Sequence, residues 1–133
     1  WVGVSLKTES CAAAAVRLCV SPPPATPAGH AMTAAVIAEF VFTFVLCFVV
    51  LNVATSRDHP DNSFYGLAIG FTVAAGAVAV GPISGAVFNP AVGLAGTTLG
   101  MLTGTTAVIY LIGQALAGVA AGIAFRVLNP EDK

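Results

Sequence analysis

The chain has 133 residues, of which 57% are hydrophobic and 8% charged, with a formal net charge of -1 and a mean hydropathy of +0.92. A soluble domain carries roughly 25% charged residues to face water, so this composition excludes a soluble globular fold and points to a membrane protein. The near-zero net charge offers no electrostatic footprint for nucleic acid, and between Leu18 and Phe125 only Glu39, Arg57, Asp58 and Asp61 are charged.

Residues 1–30 read as an extramembrane Pro/Ala-rich segment. Their apolar stretch 12–20 is short and interrupted by Arg17, and Pro22-Pro23-Pro24-Ala25-Thr26-Pro27 forms a stiff extended linker. The chain opens on Trp1 with no basic leader, and the expectation is a piece of a longer protein. Cys11, Cys19 and Cys47 match no metal spacing; a Cys11–Cys19 disulfide is one reading of the first two.

Residues 31–133 form the membrane part. About 20 helical residues cross a hydrocarbon core of about 30 Å, and three stretches are long enough: 31–54, 64–80 and 105–128. The hydrophilic turn 56–63 joins the first two. Gly81-Pro82 closes the second span, whose Gly66, Gly70, Ala74 and Ala77 recur at helical spacing as a small-residue face. Arg57, Arg126 and Lys133 share one side of this arrangement, which places turn 56–63 and the C-terminus in the cytoplasm, although Lys7 and Arg17 weigh the other way.

Between the second and third spans lies an uncharged segment, 81–101, too broken by Gly and Pro to be one spanning helix. Asn89 is a strong N-cap and Pro90 suits the first helical position. The run 90–99, ended by Gly100, reaches only about 15 Å as a helix, half of the membrane. Broken helices at membrane depth persist where they line a cavity or are buried in protein. With its side-chain oxygen capping the helix, Asn89 keeps two amide donors at the positive end of the helix dipole. Water held there turns its hydrogens outward, which interrupts a proton-conducting file, and the dipole repels cations. Upstream, residues 83–88 are expected to run unwound, with the carbonyls of Gly85, Val87 and Phe88 replacing lost hydration. Asn-Pro also begins many ordinary helices; the flanking spans and the half length favour a pore here.

These residues resemble the major intrinsic protein family, the aquaporins and aquaglyceroporins. The likeness lies in Ala38-Glu39-Phe40, in Gly66-Leu67-Ala68-Ile69-Gly70-Phe71-Thr72-Val73-Ala74, and in Ser84-Gly85-Ala86-Val87-Phe88-Asn89-Pro90-Ala91. It implies an all-α membrane fold: an aquaporin-like half of three transmembrane helices and one re-entrant half-helix that bears Asn89-Pro90-Ala91. Family members pair two such repeats in inverted orientation, so the resemblance implies a second repeat as partner, a homotetramer in the lipid bilayer, and a passive channel for water or small neutral solutes. The cytoplasmic placement of turn 56–63 resembles the C-terminal repeat, Gln114 the first. By resemblance Glu39 supports the loop bearing Asn89, and Ala77, Ala86 and Val92 stand at the constriction. A water channel's arginine is replaced there by Val92 and its histidine by Ala77, which widens the narrow point and makes glycerol, urea, ammonia or peroxide candidate solutes. If the chain is the first repeat, valine after the motif is ordinary.

Two other readings stay open: a non-conducting membrane fragment, and half of a coupled secondary transporter using Glu39. No enzymatic constellation, metal site or cofactor motif is expected. Thr43, in the first span, is expected to bond a carbonyl of its own helix.

Overall fold

The computed structural model describes residues 29–132. The expectations for the Pro-rich segment and for a Cys11–Cys19 disulfide fall on residues 1–28, outside the described residues, as does the charge of Lys133. The described residues form four α-helices: α1 (His30–Val50, continued by a π-turn Leu51–Thr55), α2 (Tyr65–Ser84), α3 (Pro90–Thr98) and α4 (Gly104–Leu128), followed by a 3-10 turn Pro130–Asp132. His30–Thr55, Tyr65–Ser84 and Gly104–Leu128 are each long and apolar enough to cross a membrane, with mean hydropathies of 2.7, 1.8 and 2.0. The protein is an integral multi-pass membrane protein of all-α class.

Helix α1 lies between α2 and α4, its longest contact being with α4, and α3 packs on α4. Small residues let the helices approach closely. Ala35, Ala117 and Ala121 are fully buried, and a Cβ added at Gly113 or Gly118 would meet Val36 Cγ1 at 3.8 Å or Cys47 Sγ at 4.0 Å. In lipid no hydrophobic effect holds helices together, so close approach of backbones supplies the attraction. Many large apolar side chains point outward, among them Phe71, Val78 and Leu94, while Phe88, Tyr110 and Phe125 are buried. Gly66 and Gly70 face open space, while α2 meets α1 through Gly76.

Helix α2 runs past Gly81-Pro82 to Ser84, which corrects the expectation that this pair closes the span at residue 80. A proline clashes with the Cβ of the residue before it, and Gly81 has none. Placed near the helix end, Pro82 removes a single hydrogen bond. The helix stops at Gly85, whose left-handed φ of 89° and N–H bond to the Gly81 carbonyl form a glycine cap.

At the other end of the bundle the tails of α1 and α4 are tied together. The Ser56 N–H reaches back to Leu51 O at 3.1 Å and closes the π-turn, and Asn62 Nδ2 donates to Val53 O and His59 O. Asp132 accepts from Ser56 Oγ at 2.6 Å and from Arg57 N at 2.9 Å. The Ser56 hydroxyl first, then the Arg57 N–H, hold the Asp132 carboxyl below the usual carboxylate range. A depressed carboxylate contributes stability above its unfolded-state pKa and loses it as pH falls through the lowered folded value. In an NMR titration the Asp132 midpoint is therefore expected to move up toward the ordinary value in Ser56→Ala. An unchanged midpoint would show that the tie is absent in solution.

Candidate functional site

The connection between α2 and α3 is the most strained backbone in the described residues. Ala86 has φ 55° and Phe88 φ 51°, left-handed values that a side chain disfavours by roughly 1–2 kcal/mol each. Side chains from three helices hold it. Glu39 Oε1 accepts from Val87 N at 2.9 Å and from Ser84 Oγ at 2.7 Å; Oε2 accepts from Phe88 N at 2.6 Å and from Gln114 Nε2 at 2.9 Å. Ser84 Oγ in turn accepts from Ala86 N at 3.1 Å. Every N–H from Ala86 to Phe88 thus ends on a side chain.

Glu39 is the largest fully buried side chain among the described residues. A carboxylate in a spanning helix is costly and persists where it is paired or functional. Here four neutral donors converge on its two oxygens and use its acceptor capacity. Among the described residues no cation takes part in this network. Gln114 on α4, Ser84 at the end of α2 and Tyr110 complete it; the Tyr110 hydroxyl donates to Ser84 O at 2.9 Å. These three partners are absent from the sequence reading of the site. A polar Gln114 in an apolar span was the one available signal. Removing the hydroxyl in Tyr110→Phe leaves a buried carbonyl without its donor, and a loss of about 1–3 kcal/mol in unfolding stability is expected from equilibrium denaturation. A loss within error would show that the bond carries no net stabilisation.

Thr43 Oγ1 donates to Phe88 O at 3.2 Å, across 45 positions, which corrects the expectation of a bond within its own helix. The same bond engages one of the two lone pairs of the Phe88 carbonyl, one of the three carbonyls expected in the conduit. Phe88 is only 4% exposed, and its oxygen faces Thr43 inside the bundle. Among the described residues no hydrogen-bond donor meets the carbonyls of Gly85 and Val87. The unwound stretch begins at Gly85 and not at Ile83, because α2 continues to Ser84.

Asn89 caps α3. Its Oδ1 accepts the Ala91 N–H at 2.9 Å, its backbone is extended (φ -148°, ψ 129°), and Pro90 takes the first helical position. The amide nitrogen of Asn89 has no acceptor among the described residues. Helix α3 ends at Thr98, with Gly100 left-handed (φ 71°) and Met101 N bonded to Gly96 O at 2.8 Å. Nine residues at about 1.5 Å rise make it about 14 Å long. Asn89, Pro90, Ala91 and Val92 are exposed, as is Ala77 on α2; Ala86 is half-buried. The structure therefore gathers Glu39, Val87 and Phe88 into one buried network and leaves Asn89, Ala77 and Val92 uncovered by the described helices.

The sequence profile of the family described as Major intrinsic protein matches residues 26–132. Aquaporin NIP1-4 of Oryza sativa subsp. japonica is 38% identical over 102 residues, covering 77% of this chain and 36% of that protein. Aquaporin NIP1-3 of the same plant is 40% identical over 97 residues, covering 71% and 32%. Aquaporin NIP1-1 of Zea mays is 32% identical over 111 residues, covering 84% and 38%. The chain spans about a third of the length of these curated relatives. No solved structure matches it.

Proposed function

Because this chain belongs to the major intrinsic protein family, we propose that it supplies one repeat of a passive membrane channel for water or small neutral solutes. The observation that carries the reading is the Asn89 cap. Its oxygen is engaged by Ala91 N while its amide NH2 has no acceptor among the described residues, at the N-terminus of a helix half a membrane long. That end of the helix is electropositive and presents donors only. A passing water or hydroxyl offers its oxygen to Asn89, and cations meet an unfavourable field. The carbonyls of Gly85 and Val87 are the acceptors this chain can add.

Solute choice follows from what stands beside Asn89. Ala77, Ala86 and Val92 are small or apolar and carry no charge, so the narrow point built from them is wide and lacks a cationic donor. Glycerol and urea then fit alongside water. The uncovered faces of α2 and α3 suit a second repeat that completes the lumen, and tetramers in the bilayer follow from the family resemblance. The four donors on Glu39 give it a structural role in the loop and leave it poorly suited to the proton carrier that a coupled transporter requires. The function so read is conduction and not catalysis.

Stopped-flow measurements on vesicles containing the protein assembled with its second repeat test this. Water and glycerol are expected to equilibrate faster than in protein-free vesicles, with no accompanying proton or ion current. Rates equal to those of empty vesicles, or flux that requires an ion gradient, would overturn the proposal.

A further inference from the structure

A glycine notch on α2 seats the ring of the residue that precedes Asn89. Gly76 is buried in the middle of α2. A Cβ built there would lie 2.6 Å from Phe88 Cε2, 2.9 Å from Phe88 Cζ and 2.8 Å from Phe42 Cδ1. Carbon atoms do not approach so closely, and packed interiors yield little, so even one methyl group must displace a helix or a ring. The rings of Phe42 and Phe88 stack against each other at 5.4 Å and 26°. The Phe88 backbone has no slack either: its N–H is held by Glu39, its carbonyl by Thr43, and its φ is left-handed. The contact therefore joins two bodies that each carry an exposed neighbour, Ala77 beside Gly76 and Asn89 beside Phe88.

We infer that Gly76 is a positioning residue for solute selection: by admitting the Phe88 ring against the backbone of α2, it sets the separation between Ala77 and Asn89. The inference rests on the proposal that Ala77 and Asn89 line the conduit. When a methyl group is added, the loop is the stiffer of the two bodies. It is bonded to α1 through Glu39 and Thr43, whereas the middle of α2 meets it through packing alone, its polar tie lying at Ser84. The joint opens on the α2 side, Ala77 recedes from Asn89, and bulkier neutral solutes gain on water.

The experiment compares Gly76→Ala, Phe88→Leu and the double variant of the purified protein. It reads thermal melting in detergent and the glycerol-to-water permeability ratio in vesicles. Alanine is the better helix former, so a lower melting temperature in Gly76→Ala isolates the clash. The ratio is expected to rise several-fold in Gly76→Ala. It is expected to return to the Phe88→Leu value in the double variant, where the two Phe88 ring atoms facing the notch are gone and the Phe42 ring has room to turn away. A merely structural contact would change melting and leave the ratio alone. An unchanged ratio in Gly76→Ala, or a raised ratio that Phe88→Leu fails to relieve, overturns the inference. Wild-type vesicles no more permeable than empty ones would overturn both the channel reading and the selection role. The packing joint would then stand or fall separately, on whether Phe88→Leu relieves the melting defect.

Discussion

Glu39→Gln is expected to behave almost as badly as Glu39→Ala, despite its near-identical shape. The carboxylate accepts two donors on each oxygen, and an amide supplies an NH2 on one side. Placed toward Oε1, that NH2 faces Val87 N–H; placed toward Oε2, it faces Phe88 N–H. Gln114 can turn its own amide and Ser84 can rotate its hydroxyl, but a backbone N–H can do neither. At least one buried donor is left unpaired, which costs about 1–3 kcal/mol, and a donor faces a donor. The same bonds hold Ala86 and Phe88 at left-handed φ values, so the loop relaxes and Asn89 is displaced with it. We expect a lowered melting temperature and a large loss of water flux in vesicles for both variants. Glu39→Asp should lie between, because the charge survives on a shorter arm. Wild-type melting and flux in Glu39→Gln would show that the carboxylate does not hold the loop.

The second large effect is expected at Asn89, where structure and conduction separate. In Asn89→Asp the side chain still accepts Ala91 N–H, and a negative charge at a helix N-terminus is favourable by about 0.3–1 kcal/mol. The fold should therefore survive. The two donors are gone, however, and the site now draws cations and the hydrogens of water. Water and glycerol permeability is expected to fall steeply while a cation current appears. Asn89→Ala loses both functions of the side chain: the cap, at a cost of about 0.5–2 kcal/mol, and the donors. Its melting temperature should fall below that of Asn89→Asp while its cation current stays lower. Equal neutral-solute flux in wild type and Asn89→Asp would remove the amide from the account.

What could be read from residues alone follows the range of the forces involved. Span lengths come from runs of apolar residues, and the start of α3 from two adjacent local signals, an Asn cap and a Pro at the first helical position, with Gly100 marking its end. These depend on neighbours within one turn. The overrun of α2 to Ser84 was hidden because a Gly-Pro pair ordinarily signals a stop, and only the missing Cβ of Gly81 makes passage cheap. The π-turn Leu51–Thr55 depends on Ser56 reaching back five residues, which no composition announces. Gly85 is an obvious left-handed site, whereas Ala86 adopts that region with its N–H on Ser84, and Phe88 does so held by Glu39 and Thr43. Glu39 and Thr43 lie 45 to 49 positions away, and Gln114 lies 75 from Glu39. Polar residues in apolar spans advertise that partners exist without naming them. The Gly76–Phe88 contact is likewise a matter of tertiary distance.

The most direct measurement asks whether the start of α3 faces an aqueous path. With Cys11, Cys19 and Cys47 replaced by serine, Ala91→Cys places one thiol a residue beyond the Asn89-Pro90 step, where the wild-type side chain is exposed. In vesicles a small mercurial is expected to modify that thiol and to block solute flux, with flux restored by excess free thiol. A thiol that stays unreactive, or one that reacts while flux continues unchanged, would contradict a conduit built around Asn89.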